Sequence, residues 1–201
     1  MEKILRRIKA QFDPYYEIPF ATYKAVTPFL DIEEYPPRHL VKRRSMVEVK
    51  ARYLLEGGMG LYAHTDKGVR CQKYFKENQI ACDFNSYSTQ MLSNKLIKTY
   101  VNTVAVVFYK KDFFPLSEAH PEFALLALRI TEEVYNQNIK WQERMAGKNA
   151  KERVMIFLNK DPHALQLLPQ KDVANMLSMS PEVLSRVLKE LDKDGPSFDH
   201  E

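Results

Sequence analysis

The stretch LPQKDVANMLSMSPEVLSRVLKEL, residues 168–191, holds the side chains whose types and spacing best fit a chemical task. Glu182, Ser185, Arg186 and Lys189 recur at three- and four-residue intervals, which puts them on one face of a helix. A carboxylate, a hydroxyl, a guanidinium fork and an ammonium are the groups that read base edges and grip phosphates in duplex DNA. Arg suits guanine, Glu accepts from the cytosine amine, Ser adapts, and Lys holds the backbone. Ser180 and Gln170, which open the two helices of the stretch, complete the candidate DNA-binding set. Any amphipathic helix has a polar face, however, and 168–193 is electrically neutral. Lys171, Arg186, Lys189 and Lys193 are balanced there by Asp172, Glu182, Glu190 and Asp192. Phosphate contacts then fall to 140–153, where Lys140, Arg144, Lys148, Lys151 and Arg153 exceed Glu143 and Glu152 by three charges.

The spacing also predicts the elements that hold this face. Leu184, Val187, Leu188 and Leu191 form the opposite, apolar stripe of the second helix. A first helix over 170–177 buries Val173, Ala174, Met176 and Leu177, and Ser178-Met179 makes a tight turn. Ser180 is a good N-cap, Pro181 fits the first helical position, and Glu182 suits the positive end of the helix dipole. Upstream, 121–146 contains neither Pro (after Pro121) nor Gly. Phe123, Leu126, Ala127, Ile130 and Val134 give it a helical stripe. A helix of that length either packs on a second copy of itself or lies along its own domain. A further helix is expected from Ala150, with a break at Asp161-Pro162.

Before Pro121 the texture is different. An amphipathic helix with Ile4, Leu5, Ile8 and Phe12 leads into short β-branched and aromatic runs at 46–49, 52–55, 60–62, 69–75 and 101–109. Gly57-Gly58 and Asp66-Lys67-Gly68 are turn signals between them. Many short strands at close spacing predict a sandwich or barrel.

Composition excludes several classes. With 45% hydrophobic and 28% charged residues, the chain of 201 residues is of ordinary globular type. Its longest uninterrupted apolar runs, 104–109 and 123–128, fall far short of the roughly 20 residues that a membrane span needs. No secretory signal opens the chain, and Cys71 and Cys82 cannot form a disulfide framework, so a reduced cytoplasmic location is expected. The net charge of +4 is compatible with nucleic acid without demanding it.

A β domain, a long helix and a two-helix DNA-reading stretch, in this order, resemble the Crp/Fnr superfamily of bacterial transcription regulators, particularly the shorter Crp-like members of the Bacteroidetes type. The resemblance covers about 20–193 and is strongest at AKERVMIFL (150–158), LPQKDVANML (168–177) and SPEVLSRVLKEL (180–191). EGGMGLY and ACDFNSYSTQ sit at recognisable places in the β domain. It implies an α+β chain: a jelly-roll (double-stranded β-helix) cyclic-nucleotide-binding-like domain over 1–120, a dimerisation helix over 121–146 and a helix-turn-helix domain over 147–201. Glu182, Ser185 and Arg186 match the family's E-x-x-S-R pattern, which implies a TTGA-like half-site, with Glu182 and Arg186 on the central G·C pair and Ser185 on a neighbouring thymine. The implied partners are double-stranded DNA, a second copy of the chain and, for an activator, RNA polymerase; no catalytic residue and no membrane are implied.

The departures concern the sensor. Cyclic-nucleotide-binding members carry Gly-Glu for the ribose and Arg-Ser or Arg-Thr for the cyclic phosphate. Here the region reads DFNSYSTQMLSNKLIK, with Leu92-Ser93 where Arg-Ser is expected. Losing the guanidinium removes a charge-assisted pair and argues against cyclic AMP, although Lys95 or Lys98 could stand in as point charges. An effector, if one exists, remains unidentified, with Asn85, Ser86 and Tyr87 at the family's pocket position. Two cysteines cannot ligate the family's iron–sulfur cluster, and His39, His64, His120 and His163 are scattered, so no cofactor and no metal are expected. The decapeptide after Leu191 is too short and polar for the family's two-stranded wing. Two other readings stand beside this one: a sensor domain kept only for dimerisation, and a cupin-like metal enzyme, for which the His spacing is wrong.

Overall fold

A computed structural model describes residues 1–66 and 68–194 of the chain. The wing expectation concerns residues that lie outside those described beyond position 194. The polypeptide divides into two units, one of Met1–Leu61 with Tyr74–Ile139, the other of Tyr62–Lys73 with the chain from Lys140 onward.

The first unit opens with helices α1 (Glu2–Phe12) and α2 (Phe20–Val26). Leu5 and Phe12 of α1 are buried, as the stripe predicts. Two four-stranded sheets follow, with strand orders β1-β8-β3-β6 and β2-β7-β4-β5. The strands are β1 (Leu30–Tyr35), β2 (Leu40–Lys42), β3 (Lys50–Glu56), β4 (Gly58–Thr65), β5 (Gly68–Lys76), β6 (Ile80–Ala81), β7 (Lys95–Thr99) and β8 (Thr103–Tyr109). β8 is flanked by β1 and β3, antiparallel to both, with Ile32 opposite Val106 and Tyr53 opposite the same residue.

Alternation along β3 divides the core into two layers. Tyr53 and Leu55 pack with Phe12, Ile18, Tyr23 and Leu126 on the helical side. Leu54 points the other way, into a cluster with Met59, Ile97, Phe75 and Ala105 drawn from both sheets. Gly57 makes the corner between β3 and β4 at φ +82°, where a Cβ would meet the Asn102 carbonyl oxygen at 2.3 Å. Only glycine fits that close approach.

One expectation is corrected here. Residues 46–49 do not form a strand; Met46 makes an isolated bridge to Ser93. Side chains replace the ladder, because the Glu48 N–H donates to Ser86 Oγ at 2.9 Å and the Glu48 carboxylate accepts the Lys50 N–H at 3.0 Å. The long helix α5 (Pro121–Met145) follows the short α3 (Phe84–Thr89) and α4 (Phe113–Ala119). Its Leu126 is 3% exposed within the unit's own core, with Ile130 packed against that core. The apolar residues it leaves open are Leu125, Leu128 and Tyr135, at 47%, 51% and 64% exposure.

The second unit holds the outer part of the β4–β5 hairpin, residues 62–73, the end of α5 and helices α6 (Ala150–Lys160), α7 (Ala164–Leu167), α8 (Gln170–Met176) and α9 (Pro181–Asp194). Asn149 and Glu152 close α6 with a reciprocal capping box. Val154, Phe157, Ala164, Leu168, Val173, Ala174, Leu177, Leu184 and Val187 are among the unit's buried apolar residues. No helix among the described residues is long and apolar enough to cross a membrane.

Candidate nucleic-acid interface

The turn between α8 and α9 sets the direction of the second helix. Leu177 ends α8, and Ser178 takes the left-handed conformation at φ +56°. That reversal lets the Met179 N–H reach back to the Ala174 carbonyl at 2.9 Å. Ser180 then restarts the helix, its Oγ accepting the Val183 N–H at 3.3 Å and its carbonyl the Leu184 N–H at 3.0 Å. Leu184 and Val187, 0% and 4% exposed, anchor α9 in the unit's core.

With that face fixed inward, the opposite one is open. Glu182, Ser185, Arg186 and Lys189 line one shallow depression together with Pro181. The Ser180 hydroxyl and the helix's own first-turn amide hold the Glu182 carboxyl below its ordinary range, so it stays an acceptor. Arg186 and Lys189 pair with no carboxylate among the described residues, which leaves their donors available. Of the other two sequence candidates, Ser180 spends its hydroxyl on the cap, and Gln170 stands exposed at the first residue of α8, outside the depression.

Two contacts beneath this face had no signal in the sequence. The Tyr62 hydroxyl donates to Asp172 Oδ2 at 2.7 Å, which ties the 62–73 hairpin to α8. Asp172 is 8% exposed, so one of the four anions that neutralise 168–193 is withdrawn from the surface. Arg153 Nη1 donates to the Leu177 carbonyl at 3.3 Å, at the C-terminal end of α8. The basic stretch 140–153 is therefore divided: Lys140, Arg144 and Lys148 are exposed, whereas Arg153 turns inward.

In the β domain, the three effector-pocket candidates part company. Asn85 is exposed and Ser86 is buried, its hydroxyl donating to the Met91 carbonyl at 2.6 Å while accepting the Glu48 N–H. Tyr87 lies with the Lys110 ammonium over its ring at 5.2 Å, and burial pushes its phenol well above the ordinary range. Nearby charges are answered internally. Arg52 makes a two-pronged pair with Glu48 at 3.1 and 3.3 Å, and Lys42 and Lys95 flank the buried Asp83 carboxylate at 3.4 and 3.7 Å. Burial also pushes the Cys82 thiol up, away from the reactive thiolate. No group of three His, Cys, Asp or Glu side chains among the described residues is arranged to hold a metal ion.

No protein-family model matches the chain, and no curated protein does either. Solved structures do. The c-di-GMP responsive global regulator CLP of Xanthomonas campestris superposes with a TM-score of 0.67 at 16% identity, covering 91% of this chain and 96% of its own. A transcriptional regulator described as of the Crp/Fnr family, from Eubacterium rectale, gives 0.69 at 15%, covering 92% and 89%. A cyclic nucleotide-binding domain from Methylobacillus flagellatus gives 0.63 at 11%, covering 71% and 83%. The chain thus has the α+β fold of Crp/Fnr-type regulators: a cyclic-nucleotide-binding-like β domain joined to helices.

Proposed function

We propose that this chain with a Crp/Fnr-like regulator fold is a cytoplasmic, non-enzymatic transcription regulator. It binds double-stranded DNA as a homodimer and reads a pseudo-palindromic, TTGA-like operator. The observation that carries the reading is the convergence of Glu182, Ser185, Arg186 and Lys189 on one open face of α9, held outward by the buried Leu184 and Val187. In a helix-turn-helix, that half of the second helix enters the major groove. Arg186 and Glu182 read the central G·C pair, Ser185 a neighbouring thymine, and Lys189 a phosphate; Gln170 and Ser180 approach the DNA backbone.

Residues 1–120 form the sensor-like domain, 121–146 the dimerisation helix and 147–201 the DNA-binding domain. The exposed Leu125, Leu128 and Tyr135 of α5 supply the face for a second copy. As an activator the dimer also touches RNA polymerase. The sensor pocket is degenerate: Ser86 is spent on backbone groups, and Arg52 is already paired with Glu48. This favours a domain that takes no cyclic nucleotide at that position and serves mainly in dimerisation.

Selection from random DNA by the purified protein, without added effector and at low and physiological salt, tests the reading. Enrichment of a TTGA-like inverted repeat is expected. Enrichment of nothing at either salt, and with a metabolite extract added, would overturn it.

A further inference from the structure

A groove of about 380 Å³ in the second unit runs between the end of α5, α6 and the α8–α9 turn. Trp141, Met145, Met176 and Leu177 give it apolar walls, and Arg153 and Ser178 are among its polar lining. The Trp141 ring stands edge-on to Phe157 at 6.4 Å, which holds the indole in place. Two methionines facing a fixed indole make a wall that adapts to flexible apolar chains.

Arg153 gives the groove its sign. A guanidinium has five N–H donors in a rigid fork. Here Nη1 reaches the Leu177 carbonyl, whereas Nε is shut off from solvent and makes no hydrogen bond. No described carboxylate pairs with Arg153; its neighbour Glu152 is engaged with Asn149 and Lys148. A partly buried cation ordinarily meets an anion, since desolvating the charge without one is costly. An apolar trough with one uncompensated guanidinium at its edge is the complement of a molecule with a carboxylate head and an apolar body.

We propose that this groove is a binding site for an amphiphilic monocarboxylate. The carboxylate meets the part of the Arg153 guanidinium that lines the groove, and the apolar body lies along Trp141, Met145 and Met176. The site lies in the second unit, apart from the β-domain position where the fold's nucleotide pocket would be. Because Arg153 also holds the carbonyl that ends α8, an occupied groove bears on the turn that directs α9. The inference deepens the regulator reading by naming a site for control, yet its test needs no DNA, so the two can fail separately.

Trp141 is the only tryptophan in the chain and reports on its own groove. The intact protein is titrated with decanoate, decanol and decyltrimethylammonium below their aggregation limits, following indole emission. Decanoate is expected to give a saturable shift with an affinity about tenfold above decanol, the worth of one charge-assisted pair; the cation should give none. Arg153→Gln should bring decanoate down to decanol, Arg153→Lys should keep part of the difference, and Lys160→Gln should keep all of it. The last variant matters because the Lys160 ammonium lies 4.7 Å from the Trp141 ring. Equal response to decanoate and decanol in the native protein, no saturable response, or loss of the difference in Lys160→Gln alone would overturn the proposal. The native comparison stands even if Arg153→Gln fails to fold.

Discussion

At the scale of residues, base reading and phosphate gripping leave different signatures. Arg186→Ala should cost about 1–3 kcal/mol at one base pair of the operator and little on unrelated DNA. Lys189→Ala should weaken all sequences alike and lower the salt slope by about one. Competition binding with single-base operator variants at two salt concentrations separates them; uniform loss from Arg186→Ala would place that guanidinium on phosphate. Glu182 adds a pH dependence whose sign follows from its environment. Its carboxyl is depressed below 4.5 by the Ser180 hydroxyl and its own amide. A depressed carboxylate keeps its charged-form interactions above its ordinary value and loses them only as pH falls through the lowered one. Preference at the Glu182 position should therefore stay flat from neutrality to roughly pH 5. Ser180→Ala should shift its loss upward, towards ordinary glutamate behaviour, in binding assays along that pH range.

At the scale of elements, some features are legible in the sequence because local chemistry dictates them, and others are not because tertiary partners do. Pro181 after Ser180 and the 3.6-residue repeat of Leu184, Val187, Leu188 and Leu191 fix α9 and its open face without outside help. The strand at 46–49 fails because pattern alone cannot see Ser86 Oγ accepting the Glu48 N–H, or the Glu48 carboxylate accepting the Lys50 N–H, where a ladder would form. β1, with LDIEEY, carries too many acids for its propensity to show, yet β8 pairs with it along its whole length. Arg153 reads as one more surface cation in a basic run, whereas the structure turns it to the Leu177 carbonyl. In α5, periodicity finds an apolar stripe through Phe123, Leu126, Ala127, Ile130 and Val134 and cannot tell own core from partner. The structure assigns Leu126 to the core and leaves Leu125 and Leu128 open. Leu126→Ala should therefore destabilise folding by about 2–5 kcal/mol in urea titration. Leu125→Glu with Leu128→Glu should leave that midpoint nearly unchanged while sedimentation reports monomers. A stable dimer in the double variant would place the second copy elsewhere.

At the scale of the whole molecule, symmetry turns the proposed dimer into a statement about DNA. One α9 with few exposed cations, on a segment whose charges sum to zero, grips weakly by itself. In the proposed dimer, two copies related by a two-fold axis would present the same four side chains to both halves of an inverted repeat, and the second half-site would be met at high effective concentration. Isologous pairing makes the halves equivalent, so scrambling either half of a perfect palindrome should cost the same. A large asymmetry would mean that the copies do not bind as equals. The Leu125→Glu, Leu128→Glu chain retains the reading face but lacks a tethered partner. It should bind full and half operators with nearly equal affinity, whereas the native protein should prefer the full operator by at least tenfold, or about 1.4 kcal/mol. Fluorescence anisotropy with the two DNA lengths measures both ratios. If the double variant kept the native preference, the avidity would have to arise between DNA-binding units rather than along α5.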